Sequence, residues 1–206
     1  MTETQRRQRQ KRAYQLKRRA ERQDETRRRI AEATAALHAE IGPAATTISA
    51  IAARAGVERL TVYRHFPDEG ELFRACQQSF LAAHPYPNLS AWAAIPDSAE
   101  RLQGALRDLY LRYAETEAMT ANILRDAPGI PALAATLKDM PAYFLAAREL
   151  LAAPYAVPDE LQPLLLATIG HALDFETWRS LVRRQGLSTE MAVELMVRLV
   201  GLVAGH

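Results

Sequence analysis

The sequence has few of the residues that build disulfides, phosphate-binding loops or membrane spans. Its single cysteine, Cys76, excludes a disulfide within one chain. Its nine glycines form no Gly-rich phosphate loop, and no run of about 18 apolar residues suggests a membrane span. The start of the chain lacks the apolar core of a secretory signal. We therefore expect a cytoplasmic protein in which Cys76 is a small buried residue or, alternatively, a thiol sensor.

The net charge is small, but the charge is unevenly distributed along the chain. The 206 residues include 26 Lys and Arg and 24 Asp and Glu, a net charge of +2. Residues 1–29 hold twelve basic and four acidic residues, a difference of +8, so the other 177 residues hold 14 and 20, a difference of −6. We call residues 1–25 the basic arm. It suggests a polyanionic partner and a salt-dependent affinity, although it could instead be a solvated, partly disordered tail or an extension of the first helix.

Apolar periodicity predicts helices along the whole chain, and no alternating strand pattern competes with it. Clusters of Pro and Gly at 84–87, 128–131 and 154–158 mark the joints. The predicted helices after residue 67 run over about 68–84, from Ser98 to about Met119, near Asn122, up to Ala153 with an interruption at Pro141, over about 159–185, and over about 188–203.

Residues 47–66 have the spacing of a helix-turn-helix. The apolar positions of Ile48–Ala55 fall at i, i+3, i+4 and i+7, and Gly56 suits the left-handed conformation of a tight turn. Val57, Val62 and Phe66 can then face inward on a second short helix. The remaining side chains of that helix combine hydrogen-bond donors with one apolar tip, as expected for a helix in a major groove: Arg59, Leu60, Thr61, Tyr63, Arg64 and His65.

Together these residues resemble the TetR/AcrR family of one-component transcriptional regulators. The landmarks lie within about residues 26 to 83 and are Thr46-Thr47-Ile48, Ile51-Ala52, Ala55-Gly56-Val57, Thr61-Val62-Tyr63, His65-Phe66-Pro67 and Leu72-Phe73. The resemblance implies an all-α fold with a three-helix DNA-binding domain at 26–71 and a larger effector-binding and dimerisation domain at 72–206. It also implies that Thr47, Tyr63 and His65 contact phosphates, whereas Arg59, Leu60 and Thr61 lie nearest the base edges.

Two positions depart from the family pattern. Glu58 stands where many members open the recognition helix with Ser, and Glu69 stands where Lys is common after the Phe-Pro turn. A carboxylate near a helix amino terminus stabilises that helix by about 0.3–1 kcal/mol, but both carboxylates would lie close to a phosphate backbone. Part of the affinity for the DNA backbone must therefore come from elsewhere, and the basic arm is the candidate.

The last two predicted helices, at about 159–185 and 188–203, have more apolar side chains than the core of one chain requires. A leftover apolar stripe usually indicates an interface. Two helices from each of two subunits would form a four-helix bundle, as the resemblance also implies. Two-fold symmetry would then place two recognition helices about 34–36 Å apart on a pseudo-palindromic operator. Alternatively, both helices belong to the core of a monomer.

The middle of the chain supplies side chains that could line a pocket for a small, mostly apolar effector. Each of them could equally be packed core. The resemblance implies that effector binding changes DNA affinity through the helix at about 68–83. The candidate pocket residues are Trp92, Tyr110, Tyr113, Tyr143, Phe144, His171, Phe175 and Trp178.

The sequence predicts no metal site, no cofactor and no enzymatic activity. His171 and Asp174 share a helical face, but two groups do not complete a metal coordination shell. No Ser or Cys nucleophile stands beside a base, and no Glu-x-x-His pair suggests a di-iron site. The hypothesis is therefore a ligand-responsive homodimeric repressor that an effector releases from its operator. The alternative also has DNA as its partner: an architectural protein that binds DNA without sequence preference through the basic arm.

Overall fold

The computed structural model describes residues 3–205, with side chains from Tyr14 onward and those of Arg7 and Arg12. These residues form eleven α-helices and no strand, which confirms the all-α prediction. None of the helices among them is long and apolar enough to cross a membrane. The helices are α1 (Glu3–Ile41), α2 (Ile48–Ala55), α3 (Arg59–His65), α4 (Glu69–Ala83), α5 (Leu89–Ala93), α6 (Ser98–Asp126), α7 (Pro131–Thr136), α8 (Met140–Ala152), α9 (Gln162–Leu173), α10 (Phe175–Arg179) and α11 (Thr189–Ala204).

The chain divides into two compact units that do not follow the expected division after residue 71. The first unit comprises the residues up to Ala83 together with Ala121–Thr136, and the second comprises His84–Thr120 and the residues from Leu137 onward. The difference arises because α4 packs on α1 and α7 packs on α4. Residues 72–83 and 121–136 therefore bury their apolar side chains with the amino-terminal helices.

The core of the first unit lies where α1 meets α2 and α4. The small side chains of Ala52 and Ala55 are buried in this core on the apolar face of α2. At the carboxyl end of α1, the Asn122 Nδ2 donates hydrogen bonds to the carbonyls of His38 and Ala39, each at 2.9 Å. These bonds satisfy carbonyls that a helix end leaves unpaired. The buried core residues are Ile30, Ala33, Leu37, Ile51, Ala52, Ala55, Val62, Phe66 and Leu72.

Helix α1 is 39 residues long and includes most of the basic arm. The side chains from Tyr14 to Glu25 are all exposed, and burial begins only at Ile30. The arm is helical because its Gln, Arg, Ala, Glu and Lys residues are good helix formers and no Gly or Pro precedes Gly42. Gly42 ends the helix in the left-handed region, with a φ of +88°.

In the second unit, α9 packs against α8, α10 and α11. Helix α6 contributes a buried row of Leu102, Leu106 and Leu109, as its apolar spacing predicts. The Asp97 side chain accepts a hydrogen bond from the Glu100 N–H at 2.8 Å and caps the start of α6. Ser188 caps α11 in the same way, because its hydroxyl accepts from the Met191 N–H at 3.2 Å.

The prediction of one helix over about 159–185 is wrong, because the chain breaks at Asp174. Asp174 has an extended backbone with ψ of 137°, and its carboxylate accepts from the Glu176 N–H at 2.7 Å to start α10. The carbonyls of Ala172 and Leu173 accept instead from two tyrosine hydroxyls of α6, at 2.9 and 2.6 Å. A contact with a distant helix thus stabilises the break. Residues 180–184 then form a π-helical turn.

Two further boundaries differ from the prediction. Helix α6 runs without interruption to Asp126, past the expected end near Met119. It includes Asn122, for which the sequence predicts a separate short helix. No Gly or Pro between these positions breaks the helix. Pro141 lies in the first turn of α8, where its missing N–H removes no intrahelical hydrogen bond. The interruption that Pro141 predicts therefore falls just before it, at 137–139.

Candidate nucleic-acid interface

Helix α2 and the turn after it have the geometry expected of a helix-turn-helix. The Thr47 hydroxyl oxygen accepts from the Ala50 N–H at 3.1 Å and caps α2, while its own proton stays available for a further acceptor. Gly56 has φ of +63° and ψ of +43°, and its N–H donates to the Ala53 carbonyl at 3.2 Å. This left-handed conformation costs glycine nothing, so the predicted tight turn is confirmed.

Helix α3 has one buried and one exposed side. Val62 is fully buried and Phe66, just after the helix, is 3% exposed, so both fix α3 on the core. Leu60 and Tyr63 are 55% and 47% exposed although both are apolar or aromatic. Thr61 and His65 are half-buried, and the guanidinium-bearing side chains of Arg59 and Arg64 are exposed. The side of α3 that we expect to contact DNA therefore faces away from the protein core.

Two arginines of α1 bind the carboxyl ends of α2 and α3. The Arg29 Nη2 donates to the carbonyls of Ala55 and Gly56, the latter at 3.2 Å. The Arg27 Nη1 donates to the His65 carbonyl, and its guanidinium lies 4.1 Å over the Phe66 ring. Carbonyls at a helix carboxyl end carry partial negative charge, so a cation is stabilising there. These two arginines orient the helix-turn-helix from within the protein.

Arg28 is also engaged within the protein. It forms ion pairs with Glu25, at 2.7 Å, and with Glu32, and its hydrogen bond to Glu25 lowers the pKa of that carboxyl group. Sequence reasoning counted all twelve basic residues of 1–29 together. The signal that separates 27–29 from the rest is their position directly before Ile30, where the buried face of α1 begins.

A groove of about 680 Å³ lies between α1 and α3. Sequence reasoning named its α3 residues individually as DNA contacts, but it proposed the α1 side only as the basic arm as a whole. Asp24 is the acidic member of the lining. The other lining side chains are donors that suit a phosphate, namely Arg19, Gln23 and Arg27 from α1 and Thr61, Arg64 and His65 from α3.

The two acidic departures lie beside this surface. Glu58 precedes α3 with an extended backbone and makes no side-chain capping bond, so its carboxylate is exposed rather than used in the helix. Glu69 is exposed in the first turn of α4, where Asp68 already caps the helix through the Glu71 N–H at 2.8 Å. Both carboxylates are therefore exposed, one directly before α3 and the other at the start of α4.

The residues expected to line an effector pocket fall mainly into two aromatic clusters of the second unit. In the first cluster, Tyr143 stacks on Tyr86 at 4.6 Å between ring centroids and meets Phe144 edge-on at 5.3 Å. Trp92 lies 6.5 Å from Tyr143, and its Nε1 donates to the Asp108 carboxylate at 2.9 Å. Sequence reasoning did not include Tyr86, whose ring also lies 4.0 Å below the Arg112 guanidinium.

The second cluster consists of Tyr110, Tyr113, Phe175 and Trp178, with ring centroids 5.3–6.3 Å apart for the contacting pairs. Burial raises the pKa of both tyrosines, so their hydroxyls stay protonated and donate to the carbonyls at the α9 break. The Trp178 Nε1 is buried and has no hydrogen-bond partner within the described part of the chain. His171, by contrast, is exposed, and its ring bonds the Thr177 hydroxyl at 3.0 Å.

The comparison with known proteins agrees with this geometry. Residues 30–76 match the model of a family described as bacterial regulatory proteins, tetR family. A transcriptional regulator from Rhodococcus sp. Rha1 is similar in structure, with a TM-score of 0.58 and 22% identity over 85% of this chain and 96% of that chain. A regulator assigned to the TetR family from Syntrophomonas wolfei has a TM-score of 0.54 and 18% identity over 89% and 96%. None of the curated proteins matches the chain.

The all-α fold and the helix-turn-helix set on its amino-terminal core define a DNA-binding transcriptional regulator. The matched segment contains α2, α3, their Gly56 turn and the first half of α4. Over residues 30–76 the chain is similar to the TetR family of bacterial regulatory proteins. The basic arm and all of Arg27–Arg29 lie before the matched residues.

Proposed function

We propose that the protein represses transcription as a homodimer that reads a pseudo-palindromic operator and leaves it when a small, mostly apolar effector binds. The observation that carries the proposal is the exposed side of α3. Arg59 and Arg64 can donate to base edges or phosphates, and Leu60 can contact a thymine methyl group. Because Val62 and Phe66 are buried, this side is presented by a rigid core and not by a mobile loop.

The residues divide by expected role. Arg59, Leu60 and Thr61 lie in the first turn of α3, the part of a recognition helix that contacts base edges. Thr47 and Tyr63 have hydroxyls that can donate to phosphates on either side, and His65 lines the groove beside them. Base preference should therefore depend on Arg59, whereas the phosphate donors should affect all sequences alike.

Selection of bound fragments from a random duplex library tests this proposal. The selected sites should be pseudo-palindromes with half-site centres about one DNA turn apart. Arg59→Ala should relax the preference at one position per half-site by about 1–3 kcal/mol, and Thr47→Val should weaken binding to selected and scrambled duplexes equally. If Arg59→Ala loses the same affinity for selected and scrambled duplexes, Arg59 does not read bases. A folded protein that selects no duplex would refute the function itself.

The effector part of the proposal is supported by the second aromatic cluster. A buried N–H without an acceptor costs roughly 1–3 kcal/mol, so the Trp178 Nε1 favours a ligand that brings an oxygen acceptor. The surrounding rings of Tyr113 and Phe175 provide apolar contact. An aromatic molecule with one carbonyl or hydroxyl oxygen fits these two requirements. It would release the DNA only if it binds the DNA-free dimer more tightly than the DNA-bound dimer.

A panel of monocyclic phenols and aromatic ketones, assayed for release of the selected duplex, tests this coupling. An active compound should lose affinity for Trp178→Phe, which keeps an aromatic ring but has no N–H donor. Trp92→Phe is the matched control, because the Trp92 N–H already bonds Asp108. A compound that saturates the second unit and leaves DNA affinity unchanged would contradict the proposed release.

The dimer is supported by an apolar stripe on α11. Its buried side consists of Ala192, Val193, Met196 and Val200. On the other side, four further apolar residues are 37–71% exposed at spacings of four, four and three residues, and Leu164 of α9 is 55% exposed. Such a stripe at helical spacing is what a four-helix interface would bury. The four residues of α11 are Met191, Leu195, Leu199 and Leu202.

A further inference from the structure

The exposed part of α1 carries more positive charge than the protein itself neutralises. From Arg12 to Arg22 the helix has five basic residues and one acidic residue, Glu21. Lys17 pairs with Glu21 at 3.9 Å, and Arg18 lies over the Tyr14 ring. The other three basic residues, Arg12, Arg19 and Arg22, form no ion pair with any side chain that the structure describes.

These charges do not stabilise the helix on which they lie. Arg18 and Arg22 are four residues apart, and Arg19 and Arg22 are three apart, spacings at which like charges repel on a helix surface. The side chains around them are exposed, so no buried contact compensates for this repulsion. An external polyanion would relieve this repulsion, so this stretch is suited to bind a negatively charged partner.

The position of Arg19 connects this surface to the recognition helix. Arg19 lines the groove together with Thr61 and Arg64 of α3, so the same groove contains donors from both helices. Arg12 lies seven residues, or about two turns, before Arg19 and therefore on the same side of α1, about 10 Å further along its axis. A duplex carries one phosphate charge per about 1.7 Å of its axis, so this distance spans several phosphates.

We propose that the side of α1 marked by Arg12, Arg19 and Arg22 binds the phosphate backbone next to the base pairs read by α3, with the groove receiving the phosphate nearest to α3. This inference rests on the proposed function. It gives a DNA contact to a stretch of helix that precedes the family match at residues 30–76. It also supplies the positive charge that offsets Glu58 and Glu69 beside the exposed side of α3.

The test compares the triple variant R12Q/R19Q/R22Q with the wild type on a duplex that the wild type selects from a random library. Each lost phosphate contact lowers the slope of log affinity against log salt by about 0.9, so the slope should fall by about 2.7 per subunit. Between 50 and 200 mM salt the wild type should lose about 40-fold more affinity per subunit than the variant. The preferred sequence should stay the same, because no base-reading residue is changed.

The matched control is R183Q/R184Q/R198Q, which removes three arginines of the second unit that pair with glutamates. It should keep the wild-type slope, which separates a local contact from the effect of net charge. Circular dichroism should show the same helix content in both triple variants. Phosphate ethylation should interfere with wild-type binding at flanking positions that no longer matter to R12Q/R19Q/R22Q.

Three results would overturn the inference. If R12Q/R19Q/R22Q keeps the wild-type salt slope and ethylation pattern, α1 does not contact phosphates as proposed, and the proposed function is unaffected. A variant that binds DNA like the wild type but no longer binds phosphatidylserine vesicles would assign the surface to membranes instead. A wild type that selects no duplex would refute the proposed function, and this inference would fail with it.

Discussion

Lowering the pH should destabilise the first unit through His38, a histidine enclosed in its core. The side chain is 2% exposed, its Nδ1 lies 3.6 Å from the Cys76 Sγ, and its ring lies 5.6 Å from that of Phe73. Burial lowers the pKa of His38 from 6.5 to about 4, although the nearby Asp126 carboxylate opposes this shift. The folded protein therefore keeps the imidazole neutral at a pH where the unfolded chain protonates it.

The sign and size of the effect follow from proton linkage. Below pH 6.5 the unfolded chain binds a proton that the folded protein does not accept until about pH 4, so stability is lost as the pH falls through this range. The full difference of 2.5 pKa units, from 6.5 to about 4, corresponds to about 3 kcal/mol, and about 2 kcal/mol of it should be lost by pH 5.

Chemical denaturation followed by circular dichroism from pH 8 to 4.5 measures this loss in the wild type and in His38→Gln, which cannot titrate. Fluorescence is unsuitable because Trp92 and Trp178 both lie in the second unit. Cys76→Ala is the control, since it removes the sulfur and leaves the imidazole buried, so its pH dependence should match the wild type. Identical slopes for the wild type and His38→Gln between pH 6.5 and 4.5 would refute the argument.

Three further predictions concern the turn, the thiol and the dimer. Gly56→Ala should lower the free energy of unfolding, measured by thermal melting, by about 1–2 kcal/mol, because φ is +63° at this position. Gly129→Ala is the control, because the space around Gly129 is open and its stability should not change. Equal melting temperatures of the two variants would contradict this. Burial raises the pKa of Cys76 to about 12, so a thiol reagent at pH 8 should react about 1000-fold more slowly than with denatured protein, and rapid labelling would argue for a sensor. The double variant Leu195→Glu/Leu199→Glu places charges in the apolar stripe of α11, so it should halve the mass measured by sedimentation. The control Glu194→Gln should leave that mass unchanged.

Local patterns were enough to predict the helix-turn-helix. Its apolar spacing, the Thr47 cap and the Gly56 turn all lie within about twenty residues and act through the backbone of their own segment. The same holds for the capping residues Asp97 and Ser188, and for the continuous helix-forming composition of α1. Interactions of this kind are specified by residue type and spacing, so periodicity and capping rules recover them.

Contacts between distant residues could not be predicted in this way. Tyr110 and Tyr113 end α9 from about sixty residues away, and periodicity alone made 159–185 one helix. His38 contacts Cys76 across 38 residues of sequence, a contact that no local spacing indicates.

The sequence by itself determined an all-α chain with a DNA-binding motif near its start and an excess of positive charge before it. Only the tertiary structure decided what each charge does. Arg27 and Arg29 bind carbonyls of α2 and α3, whereas Arg19 faces a groove beside α3. The reason is physical: a cation's role depends on which dipoles and charges lie within a few ångströms, and the packing of α1 against its neighbours sets those distances.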